Sequence, residues 1–190
     1  MNPLSFCRVL LFLIFLGGTL NAAPHREETV TLSETRKVAI APPAGFTFAS
    51  GRDAEGLIRV QMNNADDSVS LQLIFLPDFE QRFMDGYERN RFLHESFSEF
   101  AESSVEKAMQ FNDLKPKVGA GTYCVFTDAK LAGETKYSPG EYLHATKGVK
   151  VWPGVMVVFS IFSNGTLSKD YQAAMGQMRE SVTERSVPLR

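Results

Sequence analysis

Residues 155–162 read Val-Met-Val-Val-Phe-Ser-Ile-Phe. Side chains in a strand alternate between two faces, so a run that is apolar at both parities must be covered on both sides. The chain therefore needs a central strand with a packing layer above it and another below. Pro153-Gly154 before the run and Ser163-Asn164-Gly165 after it are turn signals that fix its length.

The surrounding periodicity supplies the rest of the fold. Val69, Leu71, Leu73 and Phe75 alternate strictly, and residues 37–41, 57–62, 121–127 and 141–146 carry further strand signals. From about Tyr87 to Phe111 the period changes. Leu93, Phe97, Phe100, Ala101, Ser104 and Ala108 recur on one face of an amphipathic helix of about six turns, which Lys115-Pro116 ends. Ser168 as N-cap, followed by Tyr171, Ala174, Met175, Met178 and Val182, predicts a second helix over 168–184. The order β-β-β-α-β-β-β-α, without an internal repeat, predicts a single α+β domain. Its mostly antiparallel sheet has about six strands, with the long middle helix and the C-terminal helix on opposite faces.

The first 23 residues stand outside that domain. Arg8, an apolar run from Val9 to Leu16, Gly17-Gly18 and small residues up to Ala22-Ala23 follow the layout of a secretory signal peptide. The run is much shorter than the ~20 residues of a spanning helix. The expected product is exported to the periplasm or secreted, soluble, and not membrane-spanning. It starts with a flexible arm over 24–35 and continues as the domain over 36–190. Cys7 leaves with the leader, so Cys124 has no partner for an intramolecular disulfide, and packing alone must hold the fold. A net charge of −2 lacks the basic footprint of a nucleic-acid binder.

Three stretches resemble the PsbP-like fold family. "VAIAPPAGFTF" over 38–48 is similar to that family's opening strand running into a Pro-x-Gly-aromatic turn. "SVSLQLIFLP" over 68–77 precedes the long helix in the same place, and "YQAAMGQMRESV" over 171–182 resembles the closing helix. Phe46 stands where Trp is commoner, and residues 129–140 have no counterpart. The resemblance implies the α+β fold and a role in binding or assembly more than any activity.

Candidate chemistry is sparse. His25, His94 and His144 have no partners at metal-ligand spacing, and His94-Glu95-Ser96-Phe97-Ser98 is not H-E-x-x-H. No G-x-S-x-G occurs, and Gly119-Ala120-Gly121 precedes a strand instead of a phosphate-binding helix. No cofactor or metal site is expected. The Asn63–Asp67 loop lacks the spacing and terminal Glu of an EF-hand. One enzymatic arrangement is available: Cys124 as nucleophile with His144 as base, on strands that are candidates for neighbours. Otherwise Cys124, between Tyr123 and Val125, reads as a small buried hydrophobe.

Two features suggest a surface for partners. Glu95, Glu99, Glu102 and Glu106 fall on one side of the long helix as like-charged i, i+4 pairs, each costing a few tenths of a kcal/mol. They form either an acidic ridge for a basic partner or cation, or a solvated face. Trp152, read as lying in a turn over 148–154 beside Lys147 and Lys150, is either a rim aromatic for a partner or a plug over the sheet end. Asn164-Gly165-Thr166 matches an N-glycosylation acceptor in a host that glycosylates. The expectation is a non-enzymatic binding or assembly module for an envelope or secreted protein or a small ligand. It would be a monomer, or a weak homo-oligomer through the 148–154 turn. The alternative is an exported hydrolase or thiol-dependent enzyme using Cys124 and His144.

Overall fold

The structure, a computed structural model, describes residues 27–180 and 182–186. The segment expected as a leader over 1–23, the start of the expected arm, His25 and Pro188 lie outside the described residues. The elements run β1 (Glu28–Thr31), β2 (Arg36–Ile40), β3 (Ala49–Arg52), β4 (Ile58–Asn63), β5 (Val69–Asp78) and α1 (Gly86–Ser103). They continue β6 (Asn112–Asp113), β7 (Ala120–Thr127), β8 (His144–Trp152), β9 (Gly154–Ser163), α2 (Lys169–Glu180) and β10 (Thr183–Ser186).

The doubly apolar run becomes the middle of the sheet. Seven strands lie in the order β3-β4-β5-β9-β8-β7-β6, all antiparallel, and β9 pairs along its whole length with β5 and β8. Val155, Val157, Phe159 and Ile161 face the larger core, shared with Tyr171, Ala174, Met175 and Met178 of α2. Met156 and Val158 face the other way, with Val149 and Val151, against Leu93 of α1. Each helix covers one face, as the apolar pattern of residues 155–162 requires. No helix among the described residues is long and apolar enough to cross a membrane.

Several expectations need correction. The region expected as a flexible arm contains β1, whose Val30 is buried and which pairs with β2. With β10 these strands form a second, three-stranded sheet that closes the larger core. The described residues thus hold ten strands, more than the six expected. The long helix ends at Ser103, short of Phe111, and is kinked at Phe97 (φ −132°, ψ 15°). Ser103 Oγ donates to the Glu99 and Phe100 carbonyls and Ser104 Oγ to that of Ala101, satisfying the last turn. Val105 N–H then bonds Thr127 O, turning the chain onto the sheet edge. The second helix stops at Glu180, and residues 183–186 pair with β2 instead. Ser168 does cap α2, accepting from Tyr171 N–H at 3.1 Å.

The stretch over 148–154 is not a turn. Gly148 to Trp152 complete β8, and only Pro153 and Gly154 connect it to β9. Gly154 adopts φ +81° after Pro153, and Arg36 Nη2 donates to the Pro153 carbonyl at 2.7 Å. Gly148 is required by packing, because a Cβ there would overlap the Phe159 ring.

Candidate polar cleft beside Arg89

An open cleft of about 490 Å3 lies where the start of α1 meets β6, β7 and the loop between them. Its geometry starts at the end of β5, where the buried Asp78 carboxylate accepts from the backbone N–H groups of Arg82 and Phe83. These bonds hold a single 3-10 turn, Arg82–Met84. Asp85 then caps α1, accepting from Tyr87 and Glu88 N–H at 2.7 and 3.2 Å.

Arg89, one turn into α1, forms one wall. Its Nε donates to Thr122 Oγ1 on β7 at 3.1 Å, and its Nη1 donates to the Phe83 and Met84 carbonyls at 3.0 and 2.7 Å. A guanidinium has five N–H donors, and these contacts use three. The two on Nη2 have no protein acceptor among the described residues, where Arg89 also makes no ion pair. Burial pulls the Arg89 pKa below its ordinary value, against the fields of Asp113 and Asp85.

The opposite wall comes from the β6–β7 loop. Leu114 is fully buried, with its N–H on Gly121 O and its carbonyl accepting from Arg179 Nε of α2. Lys115 takes a left-handed φ of +51°, with its N–H on Asp113 Oδ1. Gly119, at φ +81°, presses so closely on β8 that a Cβ would overlap the Val151 carbonyl. Phe111, 40% exposed, and Pro116 add apolar surface to the lining. The result is an open cleft lined by a fixed guanidinium, Lys115, the Asp113 carboxylate, amides from Asn90 and Asn112, and an aromatic ring. Nothing in the sequence singles out Arg89, because its partners lie up to 33 positions away.

The residues selected from sequence are scattered elsewhere. Cys124 and His144 do not meet. Cys124 pairs in register with Lys147 and faces α1, whereas His144 pairs with Thr127 and so projects from the opposite face. Burial pushes the Cys124 thiol up to about 11, leaving negligible thiolate near neutral pH. A water-soluble thiol reagent should therefore leave Cys124 unlabelled in the folded protein for hours and react with it within minutes after denaturation, as peptide mass spectrometry would show. Fast labelling of Cys124 in the native protein would contradict this burial.

His144 belongs to a separate cluster. Thr127 Oγ1 donates to Glu106 Oε1 at 2.7 Å, so the hydroxyl accepts from His144 Nδ1 at 3.3 Å. Burial lowers the His144 pKa, opposed by the Glu106 charge. Ser163, opposite His144 in register, is fully buried and its hydroxyl has no hydrogen-bond partner. A fully buried hydroxyl offers a substrate no approach.

The acidic ridge is broken. Glu95, Glu99 and Glu102 are exposed on α1, but the kink at Phe97 falls between Glu95 and Glu99. Glu106 lies beyond the helix, where its Oε2 accepts from Thr127 N–H at 2.8 Å. Trp152 is buried at 3% exposure in the larger core, which corrects its expected place at the rim. The proposed oligomer contact through 148–154 loses its basis, since that stretch is almost entirely interior. His94 is exposed on α1. Asn164 Oδ1 accepts from Leu143 N–H, and Asn64 spends its amide on Ser68 and Asp170.

Neither a known protein-family model nor a curated protein sequence matches this chain.

Proposed function

We propose that the chain is an exported, non-enzymatic binding module of PsbP-like architecture that takes a small ligand in the cleft beside Arg89. Export rests on the leader over 1–23. The PsbP-like reading rests on the opening strand with its Pro42-Pro43-Ala44-Gly45-Phe46 turn, the long middle helix and the helix after the central strand. The observation that carries the function is the cleft. It combines a guanidinium fixed by a long-range hydrogen bond to Thr122, with donors to spare, and the exposed ring of Phe111 in one concave, mostly polar lining. The thiol enzyme alternative is disfavoured because its two residues lie on opposite sheet faces.

The test is a thermal-shift screen of small molecules against wild type and Asn112→Trp. Asn112 is exposed on the short edge strand β6, so the indole would occupy the cleft at little cost to folding. Ligands that raise the wild-type melting temperature should leave Asn112→Trp unmoved and emerge chemically unaltered. Equal shifts in both proteins, or turnover of the ligand, would overturn the reading.

A further inference from the structure

We infer that the cleft selects ligands bearing a carboxylate next to a flat apolar group, and that Arg89 Nη2 with Lys115 is the carboxylate's receptor. This rests on the cleft being the binding site, and it adds the ligand's charge and shape. Three of the five guanidinium donors are spent inside the protein, on Thr122, Phe83 and Met84, and they fix the plane of the group. The remaining two lie together on Nη2. Next to Nη2 stands Gly86, which also lines the cleft. A Cβ at Gly86 would come within 3.5 Å of Nη2, so the missing side chain keeps those donors uncovered.

The charges around the cleft are mixed, with the Asp113 carboxylate on the lining beside the two cations. Asp113 and Asp85 act on Arg89 through space, but neither forms an ion pair with it. Asp85 accepts from the first turn of α1, and Asp113 from Lys115 N–H. Lys115 adds a second cation on the cleft lining. A partly buried guanidinium without an ion pair gains most from an anion, because charge-assisted hydrogen bonds are roughly twice as strong as neutral ones. Phe111 remains 40% exposed while lining the same cleft, giving an aromatic ring a surface to stack on.

Benzoate, benzamide and phenyl phosphate serve as probes in calorimetric titrations of the mature protein. Benzoate should bind saturably in the millimolar range, and benzamide at least about tenfold more weakly, since it lacks the charge. Phenyl phosphate separates a carboxylate preference from general anion binding. Binding tighter than benzoate would overturn the carboxylate assignment. Arg89→Gln removes the receptor but also the ties to the 3-10 turn, so two milder variants carry the test. Lys115→Gln, on an exposed loop, should weaken benzoate about 3-fold to 5-fold. Gly86→Ala sits at a helical position and should fold as wild type, yet weaken benzoate by partly covering Nη2. Unchanged affinity in both variants, or equal affinity for benzoate and benzamide, would overturn the proposal. If benzoate fails while neutral compounds still stabilise wild type but not Asn112→Trp, the charge assignment is wrong and the cleft remains a binding site.

Discussion

Replacing Gly119 by alanine is expected to destabilise the protein by about 2–5 kcal/mol, well beyond the same change at Gly45. Both glycines have φ +81°, so both substitutions incur the roughly 1–2 kcal/mol that an L residue spends in the left-handed region. At Gly45 a Cβ would meet nothing within 4 Å. At Gly119 it would overlap the Val151 carbonyl oxygen, adding about 1–3 kcal/mol of overpacking that rigid strand backbone cannot relieve. At roughly 2–4 °C per kcal/mol for a domain of this size, Gly119→Ala should melt about 2–12 °C below Gly45→Ala. Equal melting temperatures would mean that the β6–β7 loop is not seated against β8. The comparison bears on function because that loop is one wall of the cleft.

Lys150→Met should have the opposite sign, raising stability near neutral pH. Lys150 is fully buried, its Nζ donating to the Val182 carbonyl at 2.8 Å and lying 5.8 Å from the centre of the Trp152 ring. Burial lowers its pKa from 10.5 to about 8. That difference corresponds to roughly 3 kcal/mol of penalty for holding the ammonium in the core. Below about pH 8 the lysine is charged in both folded and unfolded chains, and the penalty is complete. Between about pH 8 and 10.5 the unfolded chain binds more protons than the folded one, so this group makes stability rise with pH.

Methionine removes the penalty and also the hydrogen bond to Val182, worth about 1 kcal/mol. A net gain of about 1–2 kcal/mol is expected near pH 7. The gain should shrink above about pH 8 and reverse sign as the pH approaches 10.5, where only the lost hydrogen bond remains. Tyr171 and Cys124 titrate in the same range, but they are common to both proteins and cancel in the difference. Denaturant melts at several pH values measure it. A gap independent of pH, or a variant less stable throughout, would contradict this account of Lys150.

The same lysine shows which parts of the fold were legible in sequence. Strands such as β5 and β9 follow from alternation and β-branched composition alone, because the signal is local. β8 was cut short because Lys147, Gly148 and Lys150 interrupt the apolar pattern and imitate a turn. Each is accommodated by a distant partner. Lys147 Nζ donates to Ser160 Oγ and lies 4.3 and 4.4 Å from the ring centres of Phe162 and Phe100. Gly148 makes room for Phe159, and Lys150 reaches the chain after α2. Trp152 was misplaced by the same misreading, because a turn at 148–154 would have carried it to the rim.

The end of α1 was hidden for a related reason. Phe111 keeps the helical spacing by coincidence, while Ser103 and Ser104 terminate the helix through their own side chains. That termination moved Glu106 off the ridge and into the cluster with Thr127 and His144. The cleft is the least legible feature. It joins a helix, a 3-10 turn and a loop through hydrogen bonds between residues far apart in sequence, and Arg89 alone looks like any arginine on a polar helix face. The paired glycines at 119 and 121 are its local mark, and because they precede a strand they signal neither a phosphate loop nor a cleft.

The most direct measurement of the central claim is a backbone-amide NMR titration of the protein with the ligand that most raises its melting temperature. Binding in the cleft predicts saturable shifts at Arg89, Asn90, Gly119, Ala120 and Thr122, with His144 and Ser163 unmoved. Shifts centred on His144 and Thr127, or on the exposed Glu95–Glu102 face of α1, would contradict it.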